Sequence, residues 1–416
     1  MIPTLAIAKN TIREAVRRPL FAMMLAVASI IVLLSPAFAA FSFNDSYKLV
    51  VDLSFSTMLT AAFVISVIIS STVMSEEIES RTALTVLAKP VSRTRFLIGK
   101  FLGVAAVGWI AVWILGLLSL LVARGAMANT FLLPDPHYKQ VIGWSLWGFV
   151  WSVAMHSYGK EFGTRRLAVP AAVALGVFAP CAATFAAYLS NRLPFDIPEP
   201  FAWTFLSGWD FWMRWTLPSA VVALIGGAAV WKGRRDERIG STSTRFVVAA
   251  LTAMFVFAIG YLALLDRYAP VENPFAAPDA ARFAYWPFEL LNAAALGSLH
   301  VMIITAWAML FSTRLSLIPT MLFSLTVLVC GQLVGWATAA FQSASGEPSV
   351  IGTLLSLPLP NLDIFVVNDW LAVSYLQEPM AMPEGYLLNA GLYAAVHSLF
   401  TLALAAASFE TREIDA

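Results

Sequence analysis

The chain has 416 residues, of which 59% are hydrophobic and 12% charged, with a formal net charge of +1. A soluble domain carries about 25% charged residues, so the composition excludes an ordinary water-soluble globule and specifies a polytopic, all-α membrane protein. The net charge points to no particular partner, and none made of nucleic acid is expected. Cys181 and Cys330 both fall inside apolar runs without a C-x-x-C, which excludes a disulfide framework.

Residues 1–19 come first. Leu5, Ala8, Ile12, Ala15 and Val16 follow helical spacing, while Lys9, Asn10, Arg13, Glu14, Arg17 and Arg18 take the other face. This predicts an amphipathic helix on a membrane surface, its cations near anionic head groups. The plainer reading is a charged flank to the first span. That span, Leu20 to Phe43, is preceded by Arg17-Arg18 and ends near Ala37-Phe38-Ala39. Those features have the look of a signal peptide, but the apolar run is too long for its hydrophobic region. A short loop with Asp45, Lys48 and Asp52 leads to a second span, Leu53 to Val73.

The stretch from Met74 to Gly103 reads MSEEIESRTALTVLAKPVSRTRFLIGKFLG. It holds Glu76, Glu77 and Glu79, then Arg81, Lys89, Arg93, Arg95 and Lys100. Leu84, Leu87 and Ala88 form a short apolar stripe at helical spacing; Pro90 ends that helix and Ser92 is placed to cap the next. An apolar face on the water side usually docks into something. The other reading is a charged loop that anchors two spans. The third span is Phe101 to Val122, and Gly99-x-x-x-Gly103 at its start lets another helix approach closely.

Between Arg124 and Tyr285 four further spans fit: Val141 to Tyr158, Leu167 to Leu189, a short Leu217 to Trp231, and Phe246 to Leu265. Phe201, Trp203, Phe205, Trp209, Phe211, Trp212 and Trp215 read as an interfacial belt; the sharper reading is a platform for carbohydrate or lipid. Phe288 to Phe311 is the eighth span. A Ser312-Thr313-Arg314-Leu315-Ser316 turn follows, then a span with Pro319 in its first turn that runs to Phe341. A long outer segment, 342–386, precedes the last span, Leu387 to Phe409. With ten spans and the N-terminus inside, 19 of the 26 Lys and Arg fall on inner segments and seven on outer ones. The positive-inside rule then places both termini in the cytoplasm. Segment 342–386 carries Glu347, Asp363, Asp369, Glu378 and Glu384 and no Lys or Arg. It would attract a cationic substrate, or it simply reflects depletion of basic residues outside.

No G-x-x-x-x-G-K-[ST], H-E-x-x-H or G-x-S-x-G occurs, so no catalytic residue, metal site or bound cofactor is expected in this chain. Polar side chains inside spans are costly and carry a functional expectation. Gln332 lies within Gly331-x-x-x-Gly335, which reads as helix packing with an interhelical hydrogen bond. His300 and His397 read as neutral imidazoles bonded across helices, or as a protonatable pair lining a path.

The 74–103 stretch resembles the cytoplasmic loop of type-2 ABC transporter permeases, the NosY-like group. Their E-x-E-x-x-T…LL-x-x-P-V-S-R…GK pattern forms a coupling helix that sits on the ATPase subunit. Glu77, Glu79, Thr82, Pro90, Val91, Ser92, Arg93, Gly99 and Lys100 fit it. The run Leu357 to Phe365 is similar to the family's L-P-N-L-x-x-F element, and Phe409-Glu410-Thr411-Arg412-Glu413 to its closing F-E-x-R-E/D. The likeness covers 1–123 and 286–416; 124–285 has no recognised counterpart. It implies a six-helix permease core plus about four inserted spans, with the insert peripheral to the core. It implies a coupling helix at 75–99, with Glu76, Glu77, Glu79, Arg81, Thr82, Leu84, Leu87, Pro90, Ser92 and Arg93 facing an ABC ATPase subunit that holds the ATP and Mg. It further implies a second permease copy or relative, export as the direction, and a bacterial inner membrane. Two other readings are a polytopic or lipid-modifying membrane enzyme, which needs a polar cluster at one membrane face that the sequence does not show, and a non-transporting anchor subunit.

Overall fold

A computed structural model describes residues 2–39, 46–79, 92–128, 136–157, 217–235, 244–268, 289–340, 359–367 and 382–411. Leu84 and Leu87, with Arg81, Thr82 and Pro90, lie outside the described residues, as do the span expected at 167–189 and the aromatic run 201–215. Inside a bilayer core every backbone polar group must be satisfied within the segment. The described elements are accordingly helical: α1 (Ile2–Arg17), α2 (Pro19–Ala39), α3 (Ser46–Glu79), α4 (Arg93–Ala128), α5 (Pro136–Ser157), α6 (Leu217–Arg235), α7 (Thr244–Tyr268), α8 (Glu289–Ser312), α9 (Leu317–Ala340) and α10 (Tyr386–Glu410), with one 3-10 turn at Asp363–Phe365. Among the described residues, α2, α3, α4, α7, α8, α9 and α10 are long and apolar enough to cross a membrane, and α6 has a shorter apolar stretch at Ala220–Ala229.

Contacts divide the chain into two compact units, one of Met1–Ala126 with Trp286–Ala416, the other of Met127–Tyr285. In the first, α3, α4 and α8 are the most enclosed spans, and α2, α9 and α10 expose most of their surface. Lipid tails are as apolar as leucine, so spans associate by close packing at small residues rather than by a hydrophobic drive. The three central helices meet in that way. A Cβ on Gly108 would lie 2.5 Å from Val301 Cγ1 and 2.7 Å from Ser66 Oγ. One on Gly116 would lie 2.9 Å from the Ala294 Cβ, and Gly297 faces Met58 and Leu59. Trp109 Nε1 adds a hydrogen bond to the Ser298 carbonyl at 2.7 Å.

Pro19 explains the break between α1 and α2: it lacks the N–H that would continue α1 and sits at the first position of α2. Thr4, Ile7, Ala8 and Thr11 of α1 pack on Gly99 and Gly103 of α4, with Ala8 O only 2.9 Å from a Cβ built on Gly103. Most of the sequence stripe faces inward, with Ala8, Ala15 and Val16 buried; Leu5 departs from it at 71% exposed, and Thr11 joins the buried face. The small residues take the protein side because only they permit this approach. A groove of about 250 Å³ lies between α2 and α3, lined by Met24, Val27, Ile31, Thr57, Ala61 and Val64 among others.

In the second unit α5 packs on α6 and α7. Gly148 and Gly226 accept Met254 and Trp151 at close range, Trp147 stacks on Trp151 at 5.6 Å, and His156 stacks on Phe246 at 4.2 Å.

Close packing at the glycines of the first unit sets a stability test. Gly108→Ala should cost about 1–3 kcal/mol as an overpacked contact, read as a lower thermal midpoint of the solubilised protein. Gly260→Ala, where a Cβ meets nothing within 4 Å, should be neutral or gain up to about 1 kcal/mol of helix propensity. Equal effects at the two sites would contradict the packing account.

Candidate functional site at the roots of the 80–91 loop

The loop 80–91 leaves α3 and re-enters at Ser92. Ser92 Oγ accepts the Arg95 N–H at 3.3 Å and its carbonyl accepts the Phe96 N–H at 3.1 Å, so Ser92 is the N-cap of α4. Glu76, Glu77 and Glu79 lie in the last turn of α3, just before the loop. Both roots rest on one hydrophobic cluster. Met74 of α3, Phe96 and Leu97 of α4, Met309 of α8, and Ala405 and Phe409 of α10 are buried together, with Ile7 of α1 packed against them. The Phe96 and Phe409 rings stack at 6.3 Å, an arrangement worth about 0.5–1.5 kcal/mol beyond the burial itself. Lys100, also buried, holds its Nζ 5.6 Å from the Phe96 ring centroid.

Around this cluster the end of α10 is held from two sides. The last carbonyls of a helix have no partner within it and carry a partial negative charge. Arg93 Nη1 donates to Phe409 O and to Glu410 O, both at 3.2 Å, and its guanidinium lies 5.9 Å from the Phe409 ring centroid. Thr94 Oγ1 donates to Glu410 Oε1 at 3.1 Å. From the α8–α9 turn, Arg314 Nη2 donates to Ser408 O at 2.8 Å and to Thr411 Oγ1, and Nε donates to Ser408 Oγ at 3.2 Å. Thr313 Oγ1 and Ser408 Oγ share a bond at 3.1 Å. The turn itself is closed by Thr313 N–H to Met309 O and Leu315 N–H to Phe311 O, which fixes where Arg314 projects.

Arg93 thus binds within the chain, at the far end of α10. Arg314, Thr94 and Ser408 were not singled out from sequence. The one available signal for Arg314 was a lone cation in a tight turn between two spans.

A second constellation lies around segment 359–367. Leu362, Phe365 and Val367 are buried. The Leu362 N–H donates to Gly331 O at 2.9 Å. A Cβ on Gly331 would sit 2.8 Å from Pro360 O, and one on Gly335 2.9 Å from Asp363 Oδ2. The close approach at Gly331 and Gly335 is therefore to this segment, not to a second helix. The expected interhelical hydrogen bond of Gln332 is likewise not made among the described residues, and the side chain is half-buried. Tyr393 Oη accepts the Asn361 N–H at 2.7 Å and Tyr386 Oη donates to Ile364 O at 2.6 Å.

Phe365 stacks on His300 at 6.1 Å and lies tilted against Tyr393 at 6.3 Å, and Tyr393 stacks on His397 at 5.9 Å. His397 Nε2 accepts the Trp307 Nε1–H at 3.2 Å. His300 is buried, and neither of its ring nitrogens has a partner among the described residues. The two histidines share an aromatic column, but no hydrogen bond joins them, and neither lines the α2–α3 groove. Among the described residues no group of three or more His, Cys, Asp or Glu is placed to hold a metal.

The family described as ABC-2 family transporter protein matches residues 5–190. The match is a little under half of the chain; it takes in α1 to α5 and the 80–91 loop, and it runs past Arg124. No curated protein matches the chain.

The column makes segment 359–367 dependent on one side chain. Phe365→Ala should cost about 3–5 kcal/mol, read as loss of thermal stability in detergent. Asp363→Asn, at an exposed position, should stay within about 0.5 kcal/mol. A Phe365→Ala protein as stable as Asp363→Asn would contradict the assignment of Phe365 as the anchor.

Proposed function

We propose that this chain, a membrane protein of several spans, is an ABC-2 type permease, the membrane subunit of a transporter whose ATP hydrolysis sits on a separate ATPase subunit. The family match over 5–190 supports this reading, because the matched residues include the α3–α4 connection that carries the apolar stripe Leu84, Leu87 and Ala88. In the proposed cycle that connection docks in a groove of the ATPase subunit. ATP binding closes a pair of ATPase subunits, and the closure tilts the helices rooted at the loop. This is a two-state element biased by a ligand bound elsewhere. A second copy of the chain, or a relative, completes the assembly. The NosY-like pattern supports export and a bacterial inner membrane. No step of ATP chemistry falls to this chain, which has no phosphate-binding glycine loop.

Docking through the stripe makes a direct prediction. Leu84→Asp with Leu87→Asp should leave the protein inserted in the membrane and remove the ATPase subunit from co-purification. Undiminished co-purification refutes the docking.

Orientation is tested separately. The distribution of 19 and seven cations places both termini in the cytoplasm. In intact cells, an impermeant thiol reagent should label Glu384→Cys and spare Asn10→Cys and Ile414→Cys. Labelling at either terminal site means an odd span count or a reversed orientation.

A further inference from the structure

The reading above assigns the loop to the ATPase and leaves open how its movement reaches the C-terminal helices. The clamp at the end of α10 supplies that link. Arg93 is the first residue of α4, one position after the cap that ends the loop. Its guanidinium bonds to two carbonyls of α10, more than three hundred positions away in sequence. Arg314 reaches the same end from the α8–α9 turn. The carbonyls they occupy are ones the helix ladder leaves without a full set of donors, Thr411 at the C-cap supplying part of it. A planar guanidinium spans two acceptors with fixed geometry, which a flexible ammonium does less well. Beneath the clamp, Phe96 and Phe409 are stacked in the cluster that also holds Met74, near the loop end of α3. The α4 root of the loop, the α8–α9 turn and the end of α10 are thus joined by directional bonds over a packed core to which the α3 root contributes Met74. Close-packed cores shift between discrete arrangements rather than deform smoothly.

We propose that Arg93 and Arg314 are positioning residues that carry movement of the 80–91 loop to α8, α9 and α10. Neither contacts the ATPase subunit in this role. Arg93, grouped by sequence with the docking residues, acts instead as the tie between the docking loop and the C-terminal half of the permease. The proposal rests on the docking reading, so its test keeps the two apart.

The full complex, permease with its ATPase subunit, is compared with and without ATP and orthovanadate by hydrogen exchange. In the unaltered complex, ATP with orthovanadate should change exchange in both 80–91 and 403–411. In Arg93→Gln, co-purification of the ATPase subunit should stay within twofold and the change in 80–91 should persist. The ATP-dependent change in 403–411 should fall at least threefold. Arg314→Gln, at an exposed side chain, should act in the same direction and serves if Arg93→Gln does not insert. Arg93→Lys should recover part of the response. A merely structural loss would raise exchange in 403–411 equally with and without ATP. A bis-thiol crosslink between Thr94→Cys and Glu410→Cys, in a Cys181→Ser, Cys330→Ser background, should restore the response in Arg93→Gln. The proposal is overturned if 403–411 responds equally in Arg93→Gln, if it never responds in the unaltered complex, or if the crosslink restores nothing. Loss of co-purification in Arg93→Gln also overturns it, returning Arg93 to the docking surface. The docking reading itself fails only if Leu84→Asp with Leu87→Asp keeps the ATPase subunit bound.

Discussion

The end of α10 presents carbonyl oxygens beyond the reach of its own backbone ladder, which Thr411 meets in part from the C-cap. Here Arg93 and Arg314 meet them from opposite sides. Much of the loop end of the first unit follows from that. The α8–α9 turn must be tight enough to project Arg314. Ser92 must cap α4 so that Arg93 emerges at its first turn. Phe409 must lie under the guanidinium of Arg93 and against Phe96. Each of these is a local choice of sequence, and they agree on one position for the end of α10.

Away from that end, spacing governs. Membrane helices gain little from excluding lipid, so they gain by approaching closely. Gly108, Gly116 and Gly297 let α3, α4 and α8 meet, and Gly99 and Gly103 let α1 lie on α4. At the other end of α9, Gly331 and Gly335 use the same property to admit an irregular segment. That segment carries backbone groups that lipid would leave unsatisfied, and it is tolerated because Gly331, Tyr386 and Tyr393 bond to it. Its anchor, Phe365, lies on a column that runs from His300 to His397.

The helices were legible from hydropathy, their lengths only in part. The second span reads as Leu53 to Val73, whereas α3 runs Ser46–Glu79; the third reads as Phe101 to Val122, whereas α4 runs Arg93–Ala128. Hydropathy reports the apolar part, while helical hydrogen bonding continues through the polar residues at each end. The last span agrees closely, because Gly385 at φ 79° starts α10 abruptly. Partners were less legible. A glycine motif announces a close neighbour without naming it, so Gly331 and Gly335 gave no sign that the neighbour is 360–363. Periodicity found the amphipathic α1 and most of its inward face, Ala8, Ala15 and Val16, but misplaced one end of it, since Thr11 fits against Gly103 while Leu5 is exposed. The turn that carries Arg314 was legible but its acceptors were not: they lie 94 and 97 positions away, a separation over which local pattern carries no information.

The central claim is that the 80–91 loop and the end of α10 move together under control of an ATPase subunit. The most direct measurement is an electron cryomicroscopy structure of the protein bound to that subunit, with and without a trapped nucleotide. The account predicts Leu84 and Leu87 seated in a groove of the ATPase subunit in both states. It also predicts Arg93 on the Phe409 and Glu410 carbonyls throughout, while α10 shifts with the loop. A loop that shifts with the ATPase subunit while the end of α10 parts from Arg93 and stays in place would contradict it.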